Sequence, residues 1–125
     1  MARDLIRRVL MRLDKNYLPY EYFDKLKVFE EVEVLEGVNI IKLPTETGIY
    51  FLSRMKAGTS LVEHYHNSKE YCYIKKGKIV LNDNITLEEG SSFYFKAFDI
   101  HNIKAIEECE LYVQLSKDEH FKKFK

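Results

Sequence analysis

Cysteine is scarce in this chain, with only Cys72 and Cys109 in 125 residues, which excludes the disulfide framework that staples small secreted domains. Long apolar runs are missing as well: nothing approaches the roughly eighteen apolar residues of a membrane-spanning helix. Met1-Ala2-Arg3-Asp4 opens an Arg-rich stretch with no apolar run behind it, so no secretory signal is visible. Charge of one sign does not dominate either. Twenty Lys+Arg balance twenty Asp+Glu, which leaves a nucleic-acid-binding role without electrostatic support. Low-complexity tracts and internal repeats are absent, which argues against disorder and against solenoids. What remains is a cytoplasmic protein with reduced thiols and neither a nucleic-acid nor a membrane partner. Its length suits one domain, since domains cluster near about 100–150 residues.

What is there is 46% hydrophobic and 14% aromatic, enough for a packed core. The ends are basic and the middle mildly acidic. Residues 1–15 carry five basic and two acidic side chains, residues 117–125 four and two, and residues 16–116 eleven and sixteen. Leu5, Ile6, Val9, Leu10 and Leu13 form one apolar stripe, which predicts a helix over residues 3–14. Residues 16–26 are aromatic-rich and interrupted by Pro19, and read as a connection with a short second helix. From residue 27 the pattern changes to strands. Phe29, Val32 and Val34 alternate with Glu31 and Glu33. Further short β-rich runs follow at 38–43, 49–55, 61–66, 70–75, 79–81, 85–87, 92–95, 101–106 and 110–115. Gly37, Gly58, Gly77 and the hairpin Asn82-Asp83-Asn84 supply turns between them. Short strands at this spacing predict an all-β sandwich or barrel over 27–116. It is preceded by a helical extension (1–26) and followed by a basic tail (117–125).

Three of the four histidines lie between residues 64 and 101. His64 and His66, two apart on one strand, point to the same face. Glu70 follows a short turn later, where a hairpin would set a carboxylate beside the imidazoles. His101, on a later strand, completes the set if the sheet curls back. Three imidazoles and a carboxylate suit a divalent transition metal and leave positions open for water or substrate.

The stretch from Gly58 to Gly77 resembles the first motif of the cupin superfamily: Gly, five residues, His-x-His, three or four residues, Glu, six residues, Gly. Gly58, His64, His66, Glu70 and Gly77 match all five positions. In the second motif Gly90 and His101 match, whereas Lys96 stands in place of Pro, Phe98 in place of Gly and Ala105 in place of Asn. Those departures bear on the loop before His101 more than on the ligand. The resemblance covers residues 40–116. It implies a jelly-roll β-barrel of two antiparallel sheets with a metal in one mouth, held by His64, His66, Glu70 and His101. The implied cofactor is an iron, manganese, nickel or zinc ion. Cupins include dioxygenases, isomerases, lyases and non-enzymatic sensor domains, so the fold does not name the reaction.

Strand parity counted from Glu70 sends Cys72 and Ile74 inward and Tyr71 and Tyr73 outward. By the same rule Val62 shares the histidine face and lines the barrel. On the preceding strand either Tyr50 and Arg54, or Phe51, Ser53 and Met55, face in. Phe93, Phe95 and Phe98, with Tyr94, read as barrel core. His120, in the charged tail, carries no specific role. The expected protein is a metal-binding cupin, a metalloenzyme acting on a small polar organic molecule by dioxygenase, isomerase or lyase chemistry. The rival is a non-catalytic ligand-binding or sensor module, and a homodimer is expected in either case.

Overall fold

Alternation of apolar and polar residues is written most plainly in the strand nearest the C-terminus. Cys109, Leu111, Val113 and Leu115 are buried while the residues between them are half-exposed, the period-two pattern of a strand with one face on a core. This strand, β10 (Cys109–Ser116), lies in the middle of a six-stranded antiparallel sheet ordered β1-β2-β3-β10-β5-β8. The other strands of that sheet are β1 (Glu31–Leu35), β2 (Val38–Leu43), β3 (Ile49–Met55), β5 (Lys69–Lys76) and β8 (Ser92–Phe95), and β10 pairs with β3 and β5. A four-stranded sheet, β4-β9-β6-β7, is built from β4 (Ser60–His64), β6 (Lys78–Leu81), β7 (Ile85–Glu88) and β9 (His101–Ala105). The structure is a computed structural model that describes residues 18–116. The helix expected at 3–14, the basic tail and His120 lie outside the described residues.

Buried residues from both sheets form one cluster, with Ile74, Leu111 and Leu115 from the larger sheet and Ile79, Ile103 and Ala105 from the smaller. No described strand of one sheet pairs with a strand of the other, so the jelly roll is an open sandwich and not a closed barrel. The short second helix is present as α1 (Tyr20–Asp24), and it buries Tyr20, Tyr22 and Phe23. Among the described residues no helix is long and apolar enough to cross a membrane.

On β3 the open question of facing is settled. Phe51, Ser53 and Met55 are buried, whereas Arg54 is on the surface, paired with Glu31 and Glu110 at 3.1 Å each. On β5, Cys72 and Ile74 face in and Tyr71 and Tyr73 face out, as parity from Glu70 predicts. Phe29 departs from its expected strand: it precedes β1, at φ 66° and fully on the surface. Of the aromatic segment, Phe95 is in the core, Phe93 packs on it half-buried and Tyr94 is exposed.

Val62 also departs, at 67% exposure. Leu61 pairs with Ile103 and His64 with His101, so β4 uses three steps where β9 uses two. The extra residue is a β-bulge that turns both Val62 and Glu63 outward and brings His64 back in.

Candidate metal centre

β4 and β5 do not form a hairpin. β4 pairs with β9 in the small sheet, while β5 lies between β10 and β8 in the large one. The connection that carries His66 therefore crosses from one sheet to the other, and Glu70 reaches the histidines across the sandwich. His64 faces His101 directly in the β4–β9 register. All four side chains are buried. One ring nitrogen from each of His64, His66 and His101 lies within 4.8 Å of the others.

Each imidazole is oriented by the same device. Nδ1–H of His64 donates to the Val62 carbonyl (2.7 Å), that of His66 to Leu18 (2.9 Å) and that of His101 to Asp99 (3.0 Å). A carbonyl oxygen only accepts, so Nδ1 carries a proton, and in the neutral ring Nε2 keeps a free lone pair. Backbone acceptors of this kind fix the tautomer of metal-ligating histidines. Phe95 stacks on His101 at 3.8 Å with an interplanar angle of 8°, and Phe23 meets the His66 ring edge-on at 5.9 Å.

Glu70 Oε1 lies 2.9 Å from His66 Nε2 and 3.4 Å from His101 Nε2. Neither approach has hydrogen-bond geometry, and Glu70 Oε1 and His101 Nε2 both stay buried without a hydrogen-bond partner. Buried polar atoms without partners are expensive. A divalent cation would satisfy both, and the donor set of three imidazoles and a carboxylate fits one.

The electrostatics follow from burial and proximity. Burial, with His66 and His101 close by, pushes His64 down to about 3. Burial also works against a charged His66, but the Glu70 carboxylate beside it outweighs that and raises it above its ordinary value. Glu70 is opposed by burial too, yet His66 and His101 hold it well below the usual carboxylate range. Burial and the Glu70 charge drive the Cys72 thiol well up. Cys72 thus stays a thiol and donates to Glu70 Oε2 at 3.1 Å.

His64, His66 and Glu70 form part of the wall of an internal cavity of about 60 Å³, bounded elsewhere mostly by apolar side chains from both sheets together with Leu18 and Phe23. Leu18 and α1 are pinned there by Leu18 N–H donating to the Tyr65 carbonyl (2.9 Å) and Tyr20 N–H donating to Asn67 Oδ1 (2.7 Å). Of the four sequence-predicted ligands, the three histidines are clustered together and Glu70 lies beside His66 and His101. Leu18, Phe23, Ser53 and Phe95 were missed as site residues. Ser53 alone had a usable signal, a polar residue in step with apolar neighbours on β3.

The sequence profile described as "Cupin domain" matches residues 51–114, just over half of the chain. No curated protein matches at a significant level. Solved structures share the fold. An RmlC-like cupin from Shewanella frigidimarina is similar at TM-score 0.64 and 19% identity, over 74% of this chain and 88% of that one. Ectoine synthase from P. lautus gives TM-score 0.63 at 13% identity, over 74% and 72%. A structure of Rhodobacter sphaeroides SigE in complex with the anti-sigma ChrR gives 0.63 at 18%, over 94% and 67%. With the profile match lying on the strands that carry the histidines and Glu70, the chain belongs to the cupin family.

Proposed function

We propose that this cupin binds one divalent transition-metal ion (iron, manganese, nickel or zinc) through His64, His66, His101 and Glu70, and is a cytoplasmic homodimeric metalloenzyme acting on a small organic molecule. The observation that carries the reading is the triple Nδ1–H anchoring of three clustered, buried imidazoles, with an unpartnered Glu70 oxygen beside two of them. When bound, the ion would supply Lewis acidity or, as iron, a site for dioxygen. The chain's own part is to hold and shield. The carbonyls of Val62, Leu18 and Asp99 fix the imidazoles, Cys72 steadies Glu70 through its second oxygen, and the apolar wall excludes water. Glu70 balances part of the ion's charge and is the ligand able to shift and admit substrate.

Metal analysis of the purified protein tests this. His64→Ala and His101→Ala are expected to lose most of the bound ion, and His120→Ala to keep it, as read by inductively coupled plasma mass spectrometry. Equal loss in all three variants, or none in any, sinks the assignment.

One observation favours the rival reading of a sensor module. Apart from the cluster, the lining of the cavity among the described residues offers only Ser53 and the Cys72 thiol as polar groups, so no separate acid or base stands ready for proton transfer. Stabilisation by a ligand that is never turned over would favour this reading.

A further inference from the structure

Building on the metal-binding reading, we propose that the site selects a small monoanion with a hydrocarbon body. Its single anionic oxygen head meets the metal cluster, and its short alkyl part lies between the sheets. This is narrower than the small polar molecule expected from the sequence, because only one end of the ligand is polar.

The cavity lining carries the inference. Beyond His64, His66, Glu70 and Cys72, the wall among the described residues is made by side chains such as Phe51, Met55, Ile103, Leu111 and Val113, with Ser53 the lone hydroxyl there. Among the described residues, no Lys or Arg lines the cavity. A second anionic group on the ligand would be buried opposite hydrocarbon with no cation to meet it, and burying an unpaired charge is strongly unfavourable. A hydrocarbon group in the same place gains by leaving water.

The charge count points the same way. With Nδ1–H on a carbonyl, each imidazole that ligates an ion through Nε2 does so as a neutral donor. A divalent ion with these and the Glu70 carboxylate leaves one positive charge inside the sandwich. A monoanionic head neutralises it, whereas a dianion would leave a net negative charge in an apolar cavity. The volume of about 60 Å³ limits the ligand to a few heavy atoms.

Calorimetric titration of the full-length, metal-reconstituted protein with a carboxylate series tests the proposal. The probes are acetate, propanoate and butanoate, with succinate as the dianion of butanoate length. Metal content is measured on the same sample first. Affinity is expected to rise up to about fourfold per added methylene from acetate to butanoate, and succinate to bind about tenfold or more weaker than butanoate. His101→Ala, stripped of metal, is expected to lose butanoate binding. With a stoichiometric ion present, a flat series, no binding, or succinate equal to butanoate overturns the ligand class and leaves the metal assignment standing. Butanoate binding that survives metal loss overturns the placement of the head at the cluster. A parent protein that takes up no ion overturns the metal reading, and this one with it.

Discussion

His64 concentrates the cost of building a metal site before any metal arrives. Burial, with two neighbouring imidazoles, holds it at about 3 against 6.5 in an open chain. Between those values the unfolded chain takes up a proton that the folded chain refuses, so folded stability falls as pH drops from 6.5 towards 3. His66, raised by Glu70, works in the other direction: its contribution is complete below 6.5 and fades as pH rises through its folded value. Glu70, held low, contributes above 4.5 and loses that contribution as pH falls through its folded value. Replacing His64 with Gln removes only the first of these. In the metal-free protein, His64→Gln is expected to lose about 2 kcal/mol less than the parent between pH 6.5 and 5, at about 1.4 kcal/mol per pH unit. Urea unfolding at both pH values measures this, and parallel behaviour of the two proteins would rule it out. The four proposed ligands were legible in the sequence because His, His, Glu and His fall at family spacings. Their supports were not. The Leu18 and Asp99 carbonyls are backbone groups that any residue carries, and the Phe95 stack on His101 joins strands from different sheets.

At the level of elements, the motif glycines differ in what they are needed for. Gly77 has φ 95°, and a Cβ there would overlap the Glu108 carbonyl oxygen and come within 2.8 Å of Cys109 Sγ. Gly58 has φ 83° but nothing within 4 Å of the added carbon. Gly77→Ala is therefore expected to cost about 3 kcal/mol or more, from backbone strain plus overlap, and Gly58→Ala only about 1 kcal/mol, from backbone strain alone. Equal losses in denaturant unfolding would contradict this account. Phe98 shows the same conformational demand met by another residue. It takes φ 70° where the motif has glycine, and its N–H donates to the His66 carbonyl at 2.8 Å. Asp99 Oδ2 accepts from the Lys96 N–H at 3.0 Å. The turn before His101 thus keeps its shape without the motif's Pro and Gly. Most strands were legible, because alternation and turn residues are local. The bulge in β4 was not: one extra residue changes the facing of Val62 without changing its hydrophobicity. The crossing of the chain between sheets after His64 was equally silent, since a short polar connection fits a hairpin as well as a sheet change.

Across the whole molecule, the inner face of the large sheet serves the cavity and the outer face presents tyrosine. Tyr50 lies opposite Gln114, Gln114 opposite Tyr71, and Tyr71 opposite Tyr94 across four strands, while Tyr112 lies opposite Tyr73. Tyr71, Tyr73 and Tyr94 are 44%, 43% and 55% exposed. Arg54 and Lys75 both pair with Glu110 at one margin of this platform, and Lys69 Nζ lies over the Tyr71 and Tyr94 rings at 5.2 and 5.3 Å. A surface rich in tyrosine with charged groups around it suits a protein interface. Tyrosine hydroxyls both donate and accept, so the surface can complement itself, as a two-fold contact requires. A net charge of zero removes long-range repulsion between copies. On the homodimer reading, this face is where the copies meet. Sedimentation equilibrium is expected to give twice the 14.9 kDa chain mass. Tyr71→Arg and Tyr94→Arg, each placing its charge twice in a two-fold contact, are expected to give monomers that keep their metal. A parent protein that sediments as a monomer at all concentrations would refute the contact. A dimer unmoved by both substitutions would place it on another face.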